Sequence, residues 1–410
     1  MELLYNLGIN IFGMAIKIAA PFNIKASQLS KGRRETRKKL ATFSSNNDVV
    51  WVHCASLGEF EQGRPLIEAI RQDKPETKIV LTFFSPSGYE VRKNYNMADV
   101  VVYLPADTAA NARWFVKVIN PTMAIFIKYE FWFHYLMTLK KASIPTYSVS
   151  SIFRANQVFF KWYGGWFRSM LKAVTRFYVQ DKKSGELLES VGIKNFVVAG
   201  DTRFDRVASI AKTAADVPIA REFASQGKVI VAGSSWPADE AILADYINNS
   251  RNDVKLIIAP HEVHESHVAQ LIQRFKVPVM RYSETNSQSI ESCRVLIIDT
   301  IGLLSAIYRY GSIAYIGGGF GKGIHNTLEA ATYGMPVIFG PNHKRFKEAV
   351  DLIEVGGGFN VGSLDEFSKI MNTLWDVKSS AALEKSGIAS KNYVLGMCGA
   401  TPMVLKDLFE

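Results

Sequence analysis

The chain has 410 residues, 48% of them apolar, and its 48 Lys and Arg against 38 Asp and Glu give a formal charge of +10. That length and apolar content allow two domains with sizeable cores and exclude a disordered chain. Cys54, Cys293 and Cys398 are far apart and form no C-x-x-C, which argues against a disulfide framework or a zinc ribbon and fits a reducing compartment.

The first predicted element, residues 3–20, reads LLYNLGINIFGMAIKIAA, interrupted by Asn6, Asn10 and Lys17. It is about long enough to cross a bilayer, but its polar residues favour a helix lying in the interface. Glu2 is the only charge ahead of it, so it does not read as a secretory signal. Lys31, Arg33, Arg34, Arg37, Lys38 and Lys39 follow it closely. Positive charge on that side keeps the following domains in the cytoplasm, close to anionic headgroups. The alternative is a buried first helix followed by a solvated basic turn. The basic balance attracts phosphate on lipid, nucleic acid or a small substrate. No basic-aromatic motif or known nucleic-acid module is present, so nucleic acid is not an expected partner.

Short β-branched or aromatic runs then alternate with helical stretches. IVLTFF at 79–84, VVVYL at 100–104, MAIFI at 123–127, PTYSVS at 145–150 and RFYVQ at 176–180 form a first series, which begins at VVWVHCAS. KVIVAG at 228–233, VKLIIAP at 254–260, VPVM at 277–280, VLIID at 295–299, IAYIGGG at 313–319 and PVIFG at 336–340 form a second. Such alternation predicts parallel sheets covered by helices on both faces. The chain therefore reads as a membrane-associating helix and basic run (1–40), an N-terminal Rossmann-like domain (41–205), a linker (206–226), a second Rossmann-like domain (227–382) and a C-terminal helix packing back on the first domain (383–410). Two doubly wound α/β domains facing across a cleft is the GT-B outline, which other two-domain α/β proteins share.

Open α/β sheets hold ligands at strand carboxyl ends. Glu59 follows the first strand in Ser56-Leu57-Gly58-Glu59, as a general base or as a partner of the helix dipole. The turn Gly317-Gly318-Gly319-Phe320-Gly321-Lys322-Gly323 leads into Ile324-His325-Asn326-Thr327-Leu328-Glu329. Its amides and the following helix start suit a phosphate, and Glu329 beside Asn326 suits ribose hydroxyls. Gly233-Ser234-Ser235, Pro260-His261 and Asp299-Thr300-Ile301-Gly302 end neighbouring strands. No Asp-x-Asp occurs, and His261, His264 and His267 lack a completing carboxylate or cysteine pattern, so no metal is expected.

Together these residues resemble the Kdo transferase family of lipopolysaccharide biosynthesis over nearly the whole chain. Trp51, His53, Ser56, Gly58 and Glu59 are similar to its Trp-x-His and Ser-x-Gly-Glu pattern, and Leu104-Pro105-Ala106-Asp107-Thr108 to its Leu-Pro-x-Asp-Thr. Lys128-Tyr129-Glu130-Phe131-Trp132 is similar to Glu-x-Glu-Leu-Trp, with lysine in place of the first glutamate. Gly200-Asp201-Thr202-Arg203-Phe204-Asp205 and His325-Asn326-Thr327-Leu328-Glu329 fall in the family's order, whereas Pro260-His261-Glu262 lacks the family's arginine. The resemblance implies a GT-B enzyme that moves 3-deoxy-D-manno-octulosonate (Kdo) from CMP-Kdo to a lipid A precursor, with inversion and no cofactor. It implies Glu59 as base, and Ser56, Gly58, Asp107 and Glu130 on the acceptor. It implies Gly233, Ser234, Ser235, Pro260, His261, Gly302, Gly318, Gly319, His325, Asn326 and Glu329 on the donor. Such an enzyme works at the cytoplasmic face of the inner membrane. An epimerase or hydrolase of nucleotide sugars is the nearest alternative.

Overall fold

The structure is a computed structural model, and it describes all residues except 226, 252, 285–289, 291 and 377–379. The chain divides into two compact units, residues 1–205 with 398–410, and residues 206–397.

In the first unit, α1 (Glu2–Ala19) and α2 (Ile24–Ala41) precede β1 (Val49–Cys54), α3 (Leu57–Asp73), β2 (Lys78–Phe83), β3 (Val100–Tyr103), β4 (Met123–Ile127), β5 (Thr146–Ser151), β6 (Arg176–Val179) and β7 (Phe196–Val198). All seven strands are parallel, in the order β3-β2-β1-β4-β5-β6-β7. Val49 and Trp51 pack into one core cluster, Val50 and Val52 into another. A strand sends successive side chains to opposite faces, so helices must cover both faces of this sheet.

The second unit repeats the plan with β8 (Lys228–Ser235), β9 (Val254–Pro260), β10 (Val279–Arg281), β11 (Val295–Ile297), β12 (Ile313–Ile316), β13 (Val337–Phe339) and β14 (Gly358–Asn360). Its order is β10-β11-β9-β8-β12-β13-β14. In the first sheet the chain winds outward from β1 through β2 to β3, whereas in the second it runs from β8 to β9 and the edge strand β10 before β11 inserts between those two. In both it then crosses back to lie on the other side of the first strand. The crossings fall between β1 and β4 and between β8 and β12.

Several sequence expectations change in detail. The basic run, for which a solvated turn was the alternative, is helical: α2 carries it and buries Leu29, Gly32, Thr36 and Leu40. Gly32 is required there because a side chain would strike the Tyr103 ring. The stretch expected as a linker contains the end of helix Thr202–Thr213 and all of Pro218–Ala224. The C-terminal segment is two helices, Ser380–Gly396 and Ala400–Phe409, separated at Gly399 with φ +119°. Only the second belongs to the first unit. Asp205 caps it there, accepting from the amides of Gly399 at 2.6 Å and Thr401 at 2.7 Å.

Candidate active site

Each unit carries polar residues at its switch point, where a doubly wound sheet opens a crevice.

In the first unit, Ser56 is the N-cap of α3 and Glu59 stands three residues on, the spacing of a capping box. That box does not form. The Ser56 hydroxyl donates to the Glu59 carboxylate instead of accepting from a backbone amide. The other Glu59 oxygen lies 3.5 Å from Lys128 Nζ, which comes from the turn after β4. Lys128 has φ +63°, a left-handed conformation that costs a residue with a Cβ about 1–2 kcal/mol. Its amide donates to Val149 O at 2.8 Å, and its carbonyl accepts from Ser148 Oγ at 2.8 Å and Ser151 Oγ at 2.9 Å.

Glu130 follows two residues later. Burial, then the neighbouring Glu59 charge, pushes its carboxyl up to about 7, against the opposing pull of Trp132 and Lys128. Behind it, His53 is fully buried and lowered to about 3 by desolvation. The Trp132 indole N–H donates to His53 Nε2 at 3.2 Å, which leaves the proton on Nδ1, 2.8 Å from Thr82 Oγ1. His53 is therefore a neutral prop for Trp132, and its 3.9 Å approach to Glu130 is not an ion pair.

The sequence-predicted residues Ser56, Gly58, Glu59 and Glu130 thus come together. Asp107 does not join them. It is buried, and its oxygens accept from the amides of His134 and Tyr135, both at 3.1 Å, and from the Tyr5 hydroxyl at 2.5 Å. Asp107 pins the start of helix Phe133–Lys141 and the N-terminal helix, so its assignment to the acceptor is corrected to a structural one.

In the second unit, the glycine turn leaves β12 beside the end of β8. Asp239, fully buried, accepts from the amides of Gly318 at 2.9 Å and Trp236 at 3.0 Å, and from the Tyr315 hydroxyl at 2.9 Å. Gly318 needs its φ of +91°, and a side chain on Gly319 would meet the backbone of Gly340. Asn326 Nδ2 donates to Glu329 Oε1 at 3.0 Å, while Asn326 Oδ1 accepts from the Leu328 amide at 3.1 Å. The helix that follows, Leu328–Ala331, is a single turn. The helix dipole expected behind the glycine turn is therefore slight, and backbone amides remain the relevant donors there.

Trp236, His261 and His325 form a stack, with ring centroids 4.6 Å apart at both steps. Trp236 Nε1 donates to His325 Nε2 at 3.2 Å. Burial, then neighbouring His261, lowers His325 to about 4. The His261 amide donates to Ser235 O at 2.9 Å, joining Pro260 at the end of β9 to β8. Ser234 has φ +54°. The Ser235 hydroxyl donates to Glu240 at 3.1 Å, which leaves its backbone amide as the group that can face a phosphate. Gly302 sits in an exposed loop with φ +97°, apart from the stack. His267 pairs with Glu240 at 2.9 Å. Among the described residues, no group of three or more His, Cys, Asp or Glu is set to hold a metal.

Sequence reasoning missed Lys128, Trp132, Trp236 and Asp239 as site residues. Asp239 stood in plain view beside a strand end, but a carboxylate in a first helical turn reads as a cap. Lys128 was visible only as an exception to a pattern.

Two switch-point sites on paired doubly wound sheets define an enzyme of the GT-B fold. Solved structures share that fold: a UDP-GlcNAc 2-epimerase from Neisseria meningitidis has TM-score 0.60 at 16% identity, covering 88% of this chain and 99% of its own. MurG from Acinetobacter baumannii has TM-score 0.54 at 11% identity, covering 88% and 98%. Sequence decides among the holders of the fold. Residues 31–206 match the model of the 3-deoxy-D-manno-octulosonic-acid transferase (kdotransferase) family. The 3-deoxy-D-manno-octulosonic acid transferase of Haemophilus influenzae is 27% identical over 88% of this chain and 86% of its own. That of Aquifex aeolicus is 26% identical over 82% and 88%. Over more than four-fifths of its length the chain is similar to these Kdo transferases.

Proposed function

We propose that the protein transfers Kdo from CMP-Kdo to a hydroxyl of a lipid A precursor of the lipid IVA type, with inversion at the anomeric carbon. The observation that carries this reading is the Ser56–Glu59–Lys128 cluster beside Glu130, at the switch point of the first sheet. Glu59, oriented by Ser56 and Lys128, takes the proton of the attacking hydroxyl. The hydroxyl oxygen bonds to the anomeric carbon as the bond to the CMP phosphate breaks, and the electron pair leaves with CMP. Glu130, protonated near neutrality, donates a hydrogen bond to the acceptor and spares Glu59 a second adjacent negative charge.

On the donor side, glycine-turn amides stabilise the departing phosphate. Asn326 and Glu329 take the ribose hydroxyls, and the Trp236–His261–His325 stack sits where the family's arginine is missing. No metal takes part in this scheme.

The same reading sets the enzyme on the anionic cytoplasmic face of the inner membrane. No single helix among the described residues is long and apolar enough to cross a membrane. In α1, Leu3, Leu7, Ile11, Met14 and Ile18 recur at helical spacing, and all are more than half exposed. Among the described residues, the six basic side chains of α2 make no ion pair. An apolar helix flanked by uncompensated cations suits an interface with anionic lipid.

CMP release measured with and without lipid acceptor tests the reaction class. Release that requires the acceptor is the expected result. Equal release without it would favour the hydrolase alternative.

A further inference from the structure

In the first unit, a ladder of three rings runs from the N-terminal helix to the carboxylates. Phe12 of α1 stacks on Phe84, centroids 6.0 Å apart and planes 12° apart, and Phe84 stacks on Trp132 at 4.7 Å and 26°. Trp132 in turn contacts His53, beside Glu130. Phe84 and Trp132 are half-buried and Phe12 is exposed, so the ladder borders solvent along its length. The turn Phe84-Ser85 that carries the middle ring is fixed by the Ser85 amide on Ala55 O at 2.7 Å.

One cation belongs to this ladder. The Arg33 guanidinium lies 5.1 Å from the Phe84 ring centroid, and its Nε donates to Leu104 O at 3.2 Å. Among the described residues one of its terminal nitrogens has no partner and Arg33 makes no ion pair. Arg33 also lines a groove of about 1380 Å³ between α1 and α2, together with Lys17, Lys31, Arg34 and Arg37. The lining also includes Met14 and Ile16 of α1. A partly desolvated guanidinium without a counter-ion, set among further cations, calls for an oxyanion able to take paired hydrogen bonds. An apolar row ending at two carboxylates calls for a ligand with C–H surface and a hydroxyl at its far end.

We propose that this ladder and groove seat the head group of an anionic glycolipid. Its sugar C–H bonds pack along Phe12, Phe84 and Trp132, and its phosphate binds at Arg33. The acyl chains follow the apolar face of α1, and the free sugar hydroxyl is delivered toward Glu59. Arg33 and Phe12 are positioning residues for the acceptor. The identity of the ligand rests on the transferase reading, whereas the seat rests on the ladder and groove.

The test is calorimetry of the full chain with a soluble bis-phosphorylated glucosamine disaccharide lacking acyl chains, which removes any contribution from membrane binding. Phe12→Ala, at an exposed position, should weaken binding about tenfold, and Arg33→Met about tenfold or more. Arg33→Met should also stop distinguishing this disaccharide from its dephosphorylated form. Melting curves verify that each variant is folded. Absence of binding by the parent, or equal affinities in parent and Phe12→Ala, would overturn the proposal. If the parent transfers Kdo while the variants bind normally, the seat is wrong and the transferase reading stands. If the disaccharide binds as predicted but no Kdo is transferred, the reverse holds.

Discussion

Lys128 holds its ammonium 3.5 Å from the Glu59 carboxylate from a left-handed backbone at φ +63°. Three hydrogen bonds keep the backbone there, two of them from the hydroxyls of Ser148 and Ser151 to the Lys128 carbonyl. Strain of this kind persists only where surrounding structure over-determines it, and it concentrates at functional sites. Lys128→Gly relieves the strain but loosens the unfolded chain by a similar amount. Its melting temperature should stay close to the parent's, while transfer falls by about tenfold or more because Glu59 loses its orienting cation. A large loss of stability with normal turnover in the folded fraction would reduce Lys128 to a structural residue.

Glu59→Gln keeps the shape and the Ser56 contact but cannot accept a proton. Single-turnover transfer at saturating substrates should drop about a hundredfold or more, with CMP-Kdo affinity nearly unchanged. A residue serving only the helix dipole would cost a few tenths of a kcal/mol in stability and leave turnover intact.

Glu130 supplies a pH signature. Its carboxyl is raised from 4.5 to about 7, so the folded state holds this proton more tightly than the unfolded chain does. The contribution of Glu130 to stability is therefore greatest below about pH 4.5 and falls as pH rises through 7, by on the order of 3 kcal/mol. Glu130→Gln stays neutral throughout. Denaturant titrations should find it matching the parent at pH 4 and more stable at pH 8. A constant difference across that range would remove the shift, and with it the hydrogen-bond donor proposed for the acceptor.

At the proposed donor site, Glu329→Ala removes the partner of Asn326 and the acceptor proposed for the ribose hydroxyls. CMP affinity should weaken by about 1–3 kcal/mol in calorimetry, with the fold retained. Unchanged affinity would move the nucleotide elsewhere.

The strands of both sheets were readable as β-branched runs, because a parallel sheet covered on both faces needs continuous apolar stretches. β7 and β14, with three residues each and partly exposed, carry too little pattern to single out. Glu59, Asn326 and Glu329 were legible because each follows a strand end or a glycine turn, and Glu130 was legible only through the family resemblance. Lys128 and Asp239 were not: one depends on a backbone conformation and the other on contacts made 76 and 79 residues away in sequence. The break at Gly399 was missed although Gly396, Gly399 and Pro402 mark it in the sequence.

The N-terminal helix also sets how membrane binding can be examined. Tyr5 contacts Asp107, and Asn6 lies 2.5 Å from His134, so removing the helix would expose the start of Phe133–Lys141. Serine at Leu3, Leu7, Ile11 and Ile18 leaves those contacts in place. That variant, with α2 charges neutralised, should no longer sediment with anionic vesicles, each lost cation weakening binding by about 1 kcal/mol. Undiminished sedimentation would exclude this surface as the membrane contact.

Kdo transfer is tested most directly by incubating the purified protein with CMP-Kdo and a lipid A precursor and weighing the lipid by mass spectrometry. The expected product is a lipid heavier by one or more whole Kdo residues, formed by the parent and nearly absent with Glu59→Gln. A lipid of unchanged mass with the folded parent, at concentrations where both substrates bind, would contradict it.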